Sequence, residues 1–403
     1  MRSTNPRSSA DTVTTNDSTD LSRRAFVASG LTGALGSAAV ASAPAASAQI
    51  PENAQQIVHV PAGRTFRATL DDGDSLSDLV IDVTALEASY FIRASGSDWE
   101  IRNLAIVGRH PRSDATAFAV EVPEPGNVGV IDNVWLGDGS RETVGIFVPP
   151  THAGTLLIRR CHVANYPNNG IYASAPGNGP SKEVLGAGGR VRIDQSYAYN
   201  NAIAGFRIGT DGSWVRDSVI VQDRRTPASI GGDATRAVWI YYESALIENV
   251  DFRMADGTGI VAGSGSGEKS TTEVVLRDVH GEADDLVDGG ADVRGTVKPN
   301  PEIRVPEGCP ETPADVFASP VEPPGAVGSG QPEIEVPDDP AWHPALLGGV
   351  GEFATSAFGP VLGGLFVILA LLSPGLAVLA VVLYVLYRRG EWEPSGWGGR
   401  DRL

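Results

Sequence analysis

The stretch IENVDFRMADGTGIVA, residues 247–262, is the clearest copy of a unit that returns through the middle of the chain. Its opening has counterparts in IRNLAI from Ile101, IDNVWL from Ile131, IRRCHV from Ile158, IDQSYA from Ile193, VRDSVI from Val215 and LRDVHG from Leu276. Every copy starts on an aliphatic residue and is polar at its third position. A second half-motif, glycine-aliphatic-x-aliphatic, follows as GIFV from Gly145, GIYA from Gly170, GFRI from Gly205 and GIVA from Gly259, with AVWI from Ala237 as a variant. Successive copies start 30, 27, 35, 22, 32 and 29 residues apart. Units of this length cannot bury an apolar face alone and must stack on their neighbours. Both half-motifs alternate apolar and polar residues with period two between Gly, Asn, Asp and Pro, so they predict strands and turns. Strands that return once per unit lie parallel, about 4.8 Å apart. The expected fold is an all-β solenoid, a parallel β-helix.

The patterns I-x-N-x-x-I at residues 247–252 and N-G-I-x-A at residues 169–173 resemble those of the right-handed parallel β-helix family, the pectate-lyase-like superfamily. The resemblance covers residues 57–297. It implies a right-handed parallel β-helix but leaves activity open, because the family holds lyases, glycosidases, epimerases and non-catalytic surface proteins.

Charge narrows the partners. The net charge is -18, and only Lys182, Lys269 and Lys298 are lysines. Such a surface repels nucleic acid and suits solubility in concentrated salt; acid-rich, lysine-poor composition resembles proteins of salt-loving archaea. The two cysteines make no disulfide scaffold. Cys161 falls in the slot of Leu104, Val134 and Val250, which predicts a small core residue, while Cys309 lies in a later Pro-rich stretch.

The flanks read as addresses and tethers. Residues 1–48 are a polar N-terminus followed by Arg23 and Arg24, an uncharged run and A-S-A at 46–48, which resembles a twin-arginine export signal. Residues 49–297 form the solenoid domain, with 49–96 as an N-terminal cap and first coil outside the repeat. Residues 298–345 are acidic and hold twelve prolines between 299 and 344, which predicts a stiff, extended, disordered linker. Residues 346–387 are apolar, and 361–387 lack any charge over 27 residues, enough for one transmembrane helix. Arg388 and Arg389 would keep the tail 388–403 cytoplasmic and the solenoid outside the cell membrane. The SPGL at 373–376 also looks like a haloarchaeal sorting signal, with Leu376 where Phe is expected; a retained single-pass anchor is the preferred reading.

Candidate chemistry comes from parity. The residue between the two aliphatics of the glycine half-motif points outward. Down the coils this gives Phe147, Tyr172, Arg207, Trp239 and Val261. One reading is a glycan-binding track on which sugars stack, with Arg207 holding a uronate or sulfate. The other is a set of cross-strand ladders that steady the sheet. A second outward column, Ala105, Trp135, His162, Tyr197, Val219, Asp251 and His280, reads as ordinary surface.

Cleavage of a glycan needs two carboxylates about 5–10 Å apart, or a base with a cation. The loop acids Asp138, Glu142, Asp211, Asp223, Asp233, Glu243 and Asp256 offer candidates without a distinguished pair. Asp284-Asp285 is not followed by the other parts of a polygalacturonase-type signature. GEADDLVD from Gly281 is similar to a calcium-binding repeat but lacks its glycines and occurs once, so no cofactor is expected and calcium stays a minor alternative. A phosphate loop, a G-x-S-x-G elbow and a Cys/His zinc pattern are missing from the sequence. The expectation is an exported, membrane-anchored protein that binds polysaccharide or serves structurally in the cell envelope; an anchored polysaccharide lyase or glycoside hydrolase is the alternative.

Overall fold

A computed structural model describes residues 49–54, 56–111, 116–179, 184–223, 225–231, 235–263 and 273–322, and the backbone of Glu333–Glu335. Arg23, Arg24 and the expected span 361–387 lie outside the described residues. Among the described residues, no helix is long and apolar enough to cross a membrane.

Two sheets of parallel strands make up the body. The first takes Gln56–His59, Ser75–Asp82, Glu100–Val107, Val128–Leu136, Thr155–Ala164, Arg190–Asp194, Ser213–Gln222, Ala245–Met254 and Glu273–Glu282 in that order. The second takes Thr65–Leu70, Ser89–Ser95, Phe118–Glu121, Ile146–Phe147, Ile171–Ala173, Ala204–Ile208, Arg236–Ile240, Thr258–Ala262 and Asp285–Asp288. The chain visits the sheets alternately and advances by one strand at each visit, so it winds as a solenoid.

The opening half-motif builds the first sheet and the glycine half-motif the second. Ile101, Ile131, Ile158, Ile193, Val215, Ile247 and Leu276 pair in one register and line the interior at 5% exposure or less. The polar third position has a backbone cause. Asn103, Asn133, Arg160, Gln195, Asp217, Asn249 and Asp278 have φ between 46° and 57°, a left-handed conformation in which Asn and Asp are least penalised. The bend lets the first and fourth motif residues, such as Ile101 and Leu104, both face inward although they are three apart. The bend residues also bond from coil to coil: Asn133 Nδ2 donates to Asn103 Oδ1 at 2.8 Å, and Asn103 Nδ2 to Asp78 Oδ1 at 2.8 Å. In the glycine half-motif close approach decides: a Cβ at Gly145 would run into Gly170 O of the next coil.

Two expectations need correction. The segment 49–96 is not outside the repeat. Leu76 pairs with Ile101 and Leu79 with Leu104, and Asp78 between them has φ 58°. It is a further motif copy, which a strand taken from Leu79 onward cuts in half and so conceals. The strand Thr65–Leu70 at the N-terminal end of the second sheet is covered by Glu333–Glu335, antiparallel, from far along the chain.

The described part of the expected linker, 298–322, is packed rather than extended into solvent. It climbs back along the first sheet from His280, paired with Lys298, to Asn103, which exchanges bonds with Val321. The one-turn helix Pro313–Ala318 places Val316, fully buried, against Val80, Ala105, Val107 and Trp135. Asp315 starts that turn by accepting from Thr312 N at 2.7 Å. This segment is a strap across the first sheet; Cys309 within it is buried, Cys161 sits in its expected core slot, and both thiols are free.

Candidate functional site

The outward file of the second sheet stands in register as Ala119, Phe147, Tyr172, Arg207, Trp239 and Val261. Phe147, Tyr172, Arg207 and Trp239 are half-buried. The structure brings these four together, but not as a row of open rings. Phe147 and Tyr172 meet edge to face at 5.4 Å and 79°. The Arg207 guanidinium carbon lies 4.3 Å from the ring centres of both Tyr172 and Trp239 and 4.1 Å from that of Tyr241. Arg236 lies 3.9 Å over Trp239. Each contact of this kind contributes about 0.5–2 kcal/mol according to its desolvation. The rings expected to stack on sugars thus spend faces on guanidinium groups, which is the ladder reading in a cationic form.

This sandwich also prepares Arg207 chemically. It packs against three rings and shares a hydrogen bond with Tyr241, which leaves Nε as the N–H without an acceptor among the described residues. Burial pushes its pKa down, and burial together with the charge of Arg207 does the same to Arg236. Arg207 Nε is buried without a hydrogen-bond acceptor among the described residues. Concentrated positive charge on an acidic chain favours an anion there. Sequence reasoning missed Tyr241, although its position two residues after Trp239 gives it the same outward parity.

On the other side of Phe147 the file drops to the methyl of Ala119 and then to Arg93. A cleft of about 240 Å³ opens there, walled by Phe91, Phe147 and Pro149. Glu121 sits at its edge, 7% exposed. Its carboxylate accepts from Ser95 Oγ at 2.9 Å and from Thr151 Oγ1, and Arg93 Nη2 lies 3.5 Å away. Sequence reasoning finds neither Glu121 nor the gap; the gap is legible only as a small residue in a file of large ones.

Four of the seven loop acids are occupied with structure. Glu243 accepts from the backbone N–H groups of Asn178 and Asp211, at 2.7 and 2.9 Å. Asp211 accepts from Ser244 N, and Asp138 from Gly108 N. Asp223 is bound by Arg225, Tyr199 and Asn200; although burial opposes it, these bonds hold its pKa down at about 2. Such a carboxyl is a poor proton donor near neutral pH. Glu142 is exposed, and Asp233 lies outside the described residues. Among the described residues, no group of three or more His, Cys, Asp or Glu is placed to hold a metal ion.

The second column is in register but is not ordinary surface. Trp135 and His162 are 5% and 8% exposed, and the strap roofs them. Trp135 Nε1 donates to Glu311 O at 3.2 Å, and His162 Nδ1 to Pro310 O at 2.9 Å. Asp251 accepts from Glu302 N at 2.7 Å. The file is the seat of the strap. Comparison with protein-family models, curated proteins and solved structures finds no match to this chain.

Proposed function

We propose that this chain is a right-handed parallel β-helix protein of the pectate-lyase-like kind, exported and held at the outer face of the cell membrane by 361–387, and that its second sheet binds acidic polysaccharide. Right-handedness follows the rule that parallel crossovers within one sheet take that hand in about 98% of cases. The observation that supports binding is Arg207, clamped by Tyr172, Trp239 and Tyr241 with Nε buried and without an acceptor among the described residues. A carboxylate or sulfate meeting that edge gains charge-assisted hydrogen bonds that the protein does not make for itself. Binding is favoured over cleavage because Asp138, Asp211, Asp223 and Glu243 are engaged in local hydrogen bonds.

Affinity electrophoresis of the full chain in molar KCl, through gels containing polygalacturonate or dextran sulfate, tests this. Wild type should be retarded, and Arg207→Ala should weaken binding at least tenfold while circular dichroism stays unchanged. Equal retardation of a folded Arg207→Ala protein, or no retardation of wild type by any acidic polymer, would remove the proposal.

A further inference from the structure

We infer that the cleft over Ala119 is a second subsite on the same face and takes one uncharged sugar ring of the polymer whose acidic ring meets Arg207. This rests on the binding reading above and adds what the polymer must be: mixed, with neutral and acidic residues in one chain.

Size, shape and charge point the same way. At about 240 Å³ the cleft is smaller than the roughly 300–1,000 Å³ of pockets for drug-sized ligands, so it suits a single ring. Phe91 and Phe147 offer apolar surface to the C–H face of such a ring. Ala119 supplies the gap, since the next members of its file toward Arg207 are the large Phe147 and Tyr172. Glu121 is fixed by Ser95 and Thr151, with lone pairs left to accept sugar hydroxyls. Arg93, its side chain 54% exposed, keeps donors for sugar oxygens.

A uronate in the cleft would bring its carboxylate against Glu121, whose charge Arg93 already balances. The Arg207 edge has the opposite character: guanidinium groups at 207 and 236 flank Trp239. From Ala119 to Arg207 is three strand steps, or about 14 Å. One ring cannot touch both places, but one chain of rings can.

The test compares polygalacturonate, acidic at every ring, with hyaluronan, in which acidic and uncharged rings alternate. Calorimetric titration of the full chain in molar KCl should give wild type a tenfold preference for hyaluronan. Ala119→Trp fills the cleft from the outer face and should abolish that preference by lowering hyaluronan binding at least tenfold. Glu121→Gln keeps the side-chain size, removes the repulsion and should raise polygalacturonate binding. Arg207→Ala should weaken both polymers. If Arg207→Ala weakens both but wild type shows no preference, or Ala119→Trp retains it, the cleft inference falls and the Arg207 reading stands. Wild type that binds neither polymer removes both.

Discussion

Arg159 Nη2 lies 2.9 Å from Asp132 Oδ2, across the gap between adjacent coils. The pair is one rung of a longer file. The second motif position reads Arg102, Asp132, Arg159, Asp194, Arg216, Glu248 and Arg277 down the first sheet, in register and with alternating sign. Other rungs close at 3.5 Å for Arg102–Asp132 and 2.9 Å for Arg216–Glu248. Skipping one coil would set like charges against each other, so the file opposes misassembly as well as joining coils. Rung strength follows burial. Asp132 is fully buried and also takes Arg160 in a fork at 2.8 and 2.6 Å. Asp132→Ala leaves three guanidinium groups without their shared acceptor and should lose about 3–5 kcal/mol. Glu248→Ala removes a half-exposed partner and should lose about 0–1 kcal/mol. Urea denaturation of both variants measures the contrast, and equal losses would refute it.

Asn133 separates backbone strain from hydrogen bonding. Its φ is 57°, and its Nδ2 reaches Asn103 Oδ1 at 2.8 Å and Val316 O at 2.9 Å. Asn133→Gly loses the bonds but accepts the left-handed conformation; Asn133→Ala loses the bonds and also strains the bend. The alanine variant should therefore be less stable than the glycine variant by roughly 1 kcal/mol. A glycine variant as unstable as the alanine one would show that the polar side chain alone fixes this position.

The same residue marks what the sequence encodes openly. A polar third position in every copy carries the bend, and an aliphatic first position carries the interior file, so the winding and its register are both legible in the aligned copies. The alternating charges stand in those same copies, yet they become ion pairs only once the register is known. Parity finds the ring file, but parity does not say that the Arg207 guanidinium lies within 4.3 Å of both the Tyr172 and the Trp239 ring centres. The strap leaves least trace. Its grip depends on Pro310 O, Glu311 O and Val316 O, and a backbone carbonyl has no sequence signature. Proline- and acid-rich composition therefore resembles a free spacer.

Hydrogen exchange distinguishes a strap from a spacer. Glu302 N donates to Asp251 Oδ1 at 2.7 Å and Val321 N to Asn103 Oδ1 at 2.9 Å. Both amides should exchange roughly a hundredfold more slowly than in an unstructured peptide. Val316→Asp, which places a charge where a fully buried side chain sits, should release that protection and expose residues 299–322 to protease while the sheets persist. Exchange at peptide rates in wild type would return the segment to the extended spacer expected from its composition.

Acid should loosen the strap through His162. The imidazole is enclosed by Trp135 at 6.0 Å and Tyr197 at 5.0 Å and donates from Nδ1 to Pro310 O. Burial pushes its pKa down to about 4 from an ordinary 6.5. Between those values the unfolded chain binds the proton and the folded chain does not, so stability is full above about pH 6.5 and falls as the pH drops toward 4. The span of roughly 2.5 units corresponds to about 3 kcal/mol. Asp223, held at about 2, loses its share only below its ordinary 3.8, so the two windows do not overlap. Denaturation of wild type and His162→Gln at pH 7.5, 5.5 and 4.5 reads the effect. Glutamine can still donate to Pro310 O but does not titrate, so the variant should fall less steeply with pH; parallel curves would mean that His162 is charged in the folded protein or already reached by water.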